Sequence, residues 1–279
     1  MTTTPHPSGR MTALAIAMVA GGLVSLHILR NLNAASAARI DQPAEGVRGA
    51  GGAGAIFGAV ASASAEGIAE AVKAGADPER PAMSGSAAGY TPLQFAATLG
   101  KTGAITALLK AGARPETPTA DGRTPLMLAG ASNRVGAVVA LARAGAAVDA
   151  RDSRGRTALM HAAMAGHREA AQALLASGAS VNPADELGVT AAALCAGGTS
   201  DPAVLRLLLD AGANPESAGV DGLTPLMHAA RAGQVENAIA LLNAGANPGA
   251  ATREGMTAAG FARARGDDAG RQIAAMLGE

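Results

Sequence analysis

The sequence predicts an all-α solenoid in which short helix pairs stack side by side. A threonine phrase recurs at spacings of 33 or 34 residues, and its threonines are Thr91, Thr124, Thr157, Thr190, Thr224 and Thr257. A Gly-Ala pair closes the units at the same spacing, beginning at Gly112, Gly145, Gly178, Gly212 and Gly245. A fixed period in this range is typical of stacked repeats. Apolar residues make up 49% of the chain but aromatic ones only 1%, which favours close packing of Ala and Leu over one large core.

Each unit predicts a helix, a turn and a second helix. In the unit that opens at Thr91-Pro92, a hydroxyl cap precedes a proline at the first helical position. Apolar residues then recur at i, i+3 and i+4, and Gly100 ends this helix. A second helix is predicted from about residue 103 to 110, and Gly112 ends it in the left-handed conformation that glycine allows. The residues that follow predict an extended finger into the next unit.

The recurring phrase resembles the ankyrin repeat. The residues that carry the resemblance are Gly-x-Thr-Pro-Leu-x-x-Ala, a mid-unit Gly, paired Leu, and a closing Gly-Ala-x-Pro or Gly-Ala-x-Val. Gly166-His167 also shows that family's mid-repeat Gly-His. The resemblance covers residues 55–279 and implies an ankyrin-repeat solenoid of about seven helix-turn-helix units with extended finger loops. The first unit, near residues 56–77, and the last are divergent and are expected to be caps.

One position departs from the family pattern. The family usually has a histidine directly after Thr-Pro-Leu, where the ring forms a hydrogen bond between units. Here the position holds Gln94, Met127, Met160, Ala193, Met227 and Gly260. We therefore expect apolar packing in place of those hydrogen bonds.

The residues before the repeats predict a membrane segment and a linker. Met11 to Leu29 contains no Asp, Glu, Lys or Arg, and a helix of this length would span roughly 28 Å, close to the hydrocarbon thickness of a bilayer. We expect an N-terminal anchor at residues 1–38 with a transmembrane helix at 11–29, and a Gly/Ala-rich linker at 39–54. Ala35-Ser36-Ala37 leaves a cleaved signal peptide as one alternative, and a soluble core helix is another.

The charges around this segment leave its orientation open. Arg10 precedes the apolar run, whereas Arg30, Arg39 and Arg48 follow it; this count favours repeats in the cytoplasm. The signal-like layout favours export. We expect a membrane-anchored bacterial protein, from its Ala-rich composition, with periplasmic repeats. Secretion after cleavage and repeats that face the cytoplasm are the alternatives.

Composition and motifs argue against chemistry in this chain. The 22 basic and 22 acidic residues give a formal charge of +0, which argues against a nucleic-acid partner. Cys195 is the only cysteine, so neither an internal disulfide nor a cysteine-built zinc site can form. The histidines lack the spacing of a metal site. We expect no enzyme activity, cofactor, metal or small-molecule substrate.

A column of methionines leaves one alternative of another class. Met127, Met160 and Met227 occupy the same position in three units. Thioethers bind soft copper, so a metal-handling protein is an alternative reading, although methionine more often fills gaps in a core.

The resemblance implies that a partner binds a concave groove formed by the fingers and the first helices. Carried over position by position, the candidate partner-binding residues are Tyr90, Asp121, Arg123, Arg151, Arg154, Arg156, Met164, Glu186, Asp221, Leu223, Arg231, Arg253, Glu254 and Met256. Tyr90 is the expected aromatic anchor. The run from Arg151 to Arg156 is the densest basic region, with Asp152 turned toward the backbone. The alternative is that these finger charges only keep the array soluble.

These residues predict a non-enzymatic adaptor that binds a protein segment carrying acidic groups. The adaptor would be tethered to the membrane or exported. The alternative within binding is a secreted effector that engages a protein of a host or target cell.

Overall fold

Seven consecutive helix pairs form in this computed structural model, which describes residues 52–198 and 202–278. The helices in this part of the chain are α1 (Gly52–Ala61), α2 (Ala65–Lys73), α3 (Pro92–Leu99), α4 (Thr102–Lys110), α5 (Pro125–Ala131), α6 (Val135–Arg143), α7 (Ala158–Met164), α8 (Arg168–Ala176), α9 (Ala191–Gly197), α10 (Pro202–Asp210), α11 (Pro225–Ala232), α12 (Val235–Asn243), α13 (Ala258–Arg265) and α14 (Asp268–Met276). Odd-numbered helices are the first of each pair and even-numbered helices the second. The described residues contain isolated β-bridges but no strand, so the all-α prediction is confirmed for them.

A threonine side chain caps every first helix from α3 to α13. Thr91 Oγ1 accepts the backbone N–H of Gln94 at 3.3 Å, and the five later threonines repeat this contact. A capping oxygen satisfies one of the N–H groups that the first helical turn leaves without a partner. The predicted stop at Gly100 is confirmed by its left-handed backbone, and α4 begins at Thr102, one residue before the expected start.

The helix pairs stack in chain order in two layers. Each first helix packs against the first helices of the neighbouring units, and each second helix packs against the neighbouring second helices. The second helices α4, α6, α8, α10 and α12 each bury a leucine fully at the same position, and these leucines are Leu108, Leu141, Leu174, Leu208 and Leu241. The second helices α2 and α14 bury Ile68 and Ile273 fully. Buried alanines in the first helices, such as Ala96 and Ala163, let the backbones approach closely. Burial between neighbours therefore supplies the core that one pair cannot form alone.

A row of acceptor side chains, which we call the turn ladder, ties each unit to the next. The residue four places after a closing glycine accepts a backbone N–H from the residue two places after the next closing glycine. The rungs are Glu79–Arg114 (2.8 Å), Glu116–Ala147 (2.8 Å), Asp149–Ser180 (3.0 Å), Asn182–Asn214 (2.9 Å) and Glu216–Asn247 (2.7 Å). Gly249, which has no side chain, occupies the next acceptor position.

The fifth unit, which opens at Thr190, departs from the pattern at the end of its first helix. A side chain of the sixth unit, which opens at Thr224, donates hydrogen bonds to it there. In regular units the N–H before the second helix donates to the first helix, as Lys101 N does to Ala96 O at 2.9 Å. At the end of α9, the side-chain amide of Asn237 donates to Cys195 O at 3.4 Å and to Ala196 O at 3.2 Å. Asn237 is only 1% exposed. Its polar side chain therefore closes α9 from the neighbouring unit.

The position after Thr-Pro-Leu behaves differently at Gln94 and at the methionines. Met127, Met160 and Met227 are buried in the core, and Met127 Sδ accepts Thr124 N–H at 3.4 Å. Gln94, however, donates from Nε2 to Thr117 O in the next unit at 2.9 Å. The expectation of purely apolar packing is wrong at Gln94, because its amide reaches the following finger.

The first described helix begins inside the segment predicted as a linker. Since α1 starts at Gly52, the last residues of the predicted 39–54 linker are helical. The predicted anchor at 1–38, its span at 11–29 and the rest of the linker lie outside the described residues. Among the described helices, none has both the length and the apolar character that a membrane crossing requires.

Candidate partner-binding surface

Five extended loops carry most of the candidate residues. We call them finger 3 (117–123), finger 4 (150–156), finger 5 (183–189), finger 6 (217–223) and finger 7 (250–256), after the unit that each one opens. A backbone hydrogen bond closes each finger just before its threonine, as from Asp152 N to Arg156 O at 2.9 Å. A Cβ on Gly122, which has φ +81°, would lie 2.6 Å from Ser153 N. Glycine is therefore needed where neighbouring fingers approach.

Backbone hydrogen bonds join the tips of fingers 3 to 6 into one surface. The bonds run from Ser153 N to Asp121 O (3.2 Å), from Glu186 N to Arg154 O (3.0 Å) and from Val220 N to Leu187 O (2.8 Å). Because these bonds use main-chain atoms, they fix the tip positions without using the tip side chains. The surface at the tips is thus presented by a braced backbone.

Asp152 organises the inside of finger 4. Its Oδ1 accepts the N–H groups of Arg154 and Arg156, each at 2.9 Å, and its Oδ2 lies 2.8 Å from His161 Nε2. Burial opposes ionisation of Asp152, but the bonds from His161 and from the two backbone N–H groups outweigh it and lower its pKa to about 2. The prediction that Asp152 turns toward the backbone is confirmed.

The three arginines of finger 4 have different environments. Arg156 Nε lies 3.5 Å from Asp185 Oδ2, and both side chains are mostly buried. Arg151 is exposed and donates to Gly155 O and to Ala184 O of finger 5. The Arg154 guanidinium is exposed and contacts no acceptor among the described residues. Arg154 is therefore the cation of this finger that is most available to a partner.

Finger 3 neutralises its own charge. Arg123 Nε lies 2.7 Å from Asp121 Oδ2, although its N–H is not directed at that oxygen. Burial opposes ionisation of Asp121, but the Thr119 hydroxyl and Arg123 lower its pKa. This finger offers a partner less free charge than the sequence indicated.

The structure places one candidate residue in the core. Leu223 is only 6% exposed, because it ends finger 6 with its side chain packed inward, so it offers a partner little surface. Tyr90 is half-buried and packs against the core, and Met164 is also half-buried. The exposed candidates are Asp121, Arg151, Arg154, Glu186, Asp221, Arg231, Arg253, Glu254 and Met256.

Two exposed apolar side chains at the finger tips were not among the predicted residues. Leu187 in finger 5 is 60% exposed and Val220 in finger 6 is 61% exposed. A signal for Leu187 was present in the sequence, because the position three before the threonine is charged in fingers 3, 4, 6 and 7 but is Leu187 in finger 5. We call the pair the apolar step.

His228 in α11 occupies the position that His161 occupies in α7, but without a carboxylate. Its Nε2 is buried and has no hydrogen-bond partner among the described residues, because Gly219 stands where finger 4 has Asp152. Burial and the nearby Arg231 lower its pKa to about 4, although Asp221 and Asp185 oppose this. The imidazole is therefore neutral at neutral pH.

The second-helix side carries a shallow groove with little polar character. It lies between α2 and α4, has a volume of about 590 Å³ and is lined by Ala65, Ala69, Val72, Gly103, Thr106, Ala107, Lys110 and Ala111. Within residues 52–198 and 202–278, no cluster of three or more His, Cys, Asp or Glu side chains could hold a metal ion.

Stacked helix pairs with a braced row of fingers define a solenoid repeat protein. A family model of ankyrin repeats, built as three copies, matches residues 56–152, 104–185, 134–219 and 184–252. The chain belongs to the ankyrin repeat family, since these matches together span most of its length. Members of this family are typically non-enzymatic protein–protein interaction modules. No match was found among the curated proteins.

Proposed function

We propose that this protein is a non-enzymatic adaptor whose fingers bind a partner protein. The observation that carries the proposal is the exposed guanidinium of Arg154, which bonds to no acceptor within residues 52–198 and 202–278, on a finger that backbone bonds hold in place. Arg151 and Arg154 form the most basic exposed pair on the fingers, and they suit an acidic segment of the partner. Because the backbone of this finger is already ordered, it loses less conformational entropy when a partner binds.

The proposal also includes a tether to the membrane through residues 11–29, with the repeats in the periplasm of a bacterium. The uncharged run at 11–29 and its length support a tether. A secreted effector is the alternative, and the intact mass of the mature protein distinguishes the two. A start near Ala38 supports secretion, whereas an intact N-terminus in the membrane fraction supports the anchor.

The buried methionines do not favour the metal-handling alternative. Each of the three lies in the core, where copper binding would require that packed side chains separate. We therefore do not propose metal handling as a function.

The test is a crosslinked pull-down from native membranes with wild type and Arg154→Glu. We expect the charge reversal to reduce capture of the specific partner about tenfold, which corresponds to about 1.4 kcal/mol. Arg168→Glu is the matched control, because Arg168 is exposed on the second helix α8, away from the fingers. Equal capture by both variants would contradict the assigned face, and no reproducible partner for wild type would contradict the adaptor role.

A further inference from the structure

The fingers change chemistry along the array, from basic at finger 4 to apolar and acidic at fingers 5 and 6. Leu187 and Val220 are exposed, and they are bracketed by the exposed carboxylates of Glu186 and Asp221. Asp221 Oδ1 accepts Leu223 N–H at 3.0 Å, and Glu186 forms no ion pair within the described residues. Two large apolar side chains thus stand in water between two carboxylates that form no ion pair with another described residue.

We propose that the apolar step binds a partner segment in which a large apolar side chain lies next to Lys or Arg. This proposal rests on the adaptor function above and specifies the chemistry of the partner at one end of the site. The segment would cover Leu187 and Val220 with its apolar side chain and would bring its basic groups to Glu186 and Asp221.

The apolar side chains supply most of the affinity in this arrangement. Removal of apolar surface from water stabilises a complex, whereas an ion pair between exposed side chains contributes little. The charges therefore select the partner, and Leu187 and Val220 hold it.

The backbone geometry makes the apolar step a stable feature. Val220 N donates to Leu187 O at 2.8 Å, and a Cβ on Gly188 would lie 3.2 Å from Val220 N. The two finger tips are therefore in direct contact and present their side chains from fixed positions. A site that is ordered before binding loses less conformational entropy when the partner arrives.

The neighbouring finger gives the site a direction. Finger 4 exposes Arg151 and Arg154, which attract acidic groups, and finger 5 begins the acidic and apolar region with Glu186. A bound segment that carries acidic residues at one end and a basic–apolar pair at the other fits this order in one orientation only. The reverse orientation would place like charges against each other, which is unfavourable.

The experiment selects random peptides, displayed on phage, on the full chain and on variants of it. We expect wild type to enrich peptides in which a large apolar residue adjoins Lys or Arg. Leu187→Ser with Val220→Ser should bind these peptides about tenfold more weakly. The matched control is Val135→Ser with Met276→Ser, which removes exposed apolar groups from the second helices α6 and α14.

A second variant tests the contribution of the Glu186 and Asp221 carboxylates separately. Glu186→Lys with Asp221→Asn keeps the acceptor for Leu223 N–H, and it should shift the enriched peptides from basic to acidic neighbours. Enrichment with no charge preference, or equal binding to wild type and the serine variant, would overturn the proposal.

Self-association is the competing occupant, and sedimentation of wild type and the serine variant detects it. Dimers of wild type that dissociate in the serine variant would overturn the partner proposal in favour of a second copy. The adaptor function would fail separately, through a pull-down that captures no specific protein.

Discussion

His161 and His228 show how one neighbouring residue changes the role of a side chain. Both follow the capping threonine by four positions. His161 finds the carboxylate of Asp152 at 2.8 Å, whereas His228 Nε2 is buried without a partner in the described part of the chain. Buried polar atoms without a partner are costly, and burial of this imidazole also opposes its protonation.

The residue-scale prediction concerns the acid sensitivity that His228 causes. Its pKa is about 4 in the folded state and about 6.5 in an unfolded chain. Because the unfolded state binds the proton first as pH falls, stability should decrease between pH 6.5 and 4. We expect His228→Leu, which installs the residue found at Leu128 and Leu194, to remove most of this decrease. Its advantage at pH 4.5 should be about 2 kcal/mol relative to pH 7.5.

Urea denaturation at a series of pH values measures this difference. His167→Leu serves as the comparison: burial also lowers the pKa of His167, and Arg134 adds to this although Glu169 opposes it, so this variant should remove a smaller part of the decrease than His228→Leu does. Parallel pH profiles for wild type and His228→Leu would contradict the assignment. Protonation of Asp152 lowers the stability of the fold at more acidic pH than His228 does, as the pH approaches the Asp152 pKa of about 2.

At the scale of elements, the turn ladder joins units through the ends of their second helices. Asp149 binds the main chain and the side chain of one residue, because it accepts both the backbone N–H of Ser180 at 3.0 Å and the Ser180 hydroxyl at 2.6 Å. The bonds are exposed, so water competes for them and each contributes modestly. Five rungs nevertheless orient the turns in a common register.

We predict that Asp149→Ala lowers the free energy of unfolding by about 1 kcal/mol, because Ser180 loses its acceptor. The measurement is chemical denaturation followed by circular dichroism at neutral pH. Asp210→Ala is the matched control: Asp210 is exposed at the last residue of α10, where a carboxylate is slightly unfavourable to the helix. If Asp149→Ala lowered the free energy of unfolding no more than Asp210→Ala does, the hydrogen bonds between Asp149 and Ser180 would contribute no stability.

The helices were predictable from the sequence because their signals are local. Thr124-Pro125 specifies a cap and a first helical residue whatever its distant surroundings are, and α5 begins at Pro125. The hydrogen bond from Asn237 to α9 was not predictable, because it joins residues 41 and 42 positions apart. Such contacts depend on how units stack, which the pattern of one unit does not encode.

The candidate site was predicted less well than the helices, because burial decides which finger residues are available. Leu223 and Met256 both precede a threonine by one position, yet Leu223 is 6% exposed and Met256 is 36% exposed. The periodic pattern gives them the same role. Leu187 could have been found, because its position is charged in the other four fingers, whereas the exposure of Val220 is read only from the coordinates.

At the scale of the whole molecule, each helix pair depends on its neighbours for burial. Leu174 in α8 and Ile273 in α14 are both fully buried, but α8 packs against second helices on both sides and α14 against one within the described chain. In such an array, stability is approximately a sum of unit and interface contributions. Truncation of the side chain at Leu174 should therefore destabilise units on both sides, whereas truncation at Ile273 should destabilise units on one side.

We predict that Leu174→Ala costs about 3 kcal/mol and that Ile273→Ala costs a similar amount at its own site. With Leu174→Ala, hydrogen exchange should become faster in α5 to α10, since units on both sides lose support. With Ile273→Ala, faster exchange should stay within α11 to α14. Exchange measured by mass spectrometry tests this, and uniform acceleration along the chain in both variants would contradict nearest-neighbour coupling.

The turn ladder is also a rule for lengthening the protein. Every rung has its acceptor in the earlier unit and its donor in the later one, so a duplicated middle unit carries one of each and can be spliced between any two regular neighbours. A duplicate placed after Gly249 would meet a glycine where an acceptor is required. Designers who wish to extend the array should therefore insert internally, or first replace Gly249 with Asp or Asn.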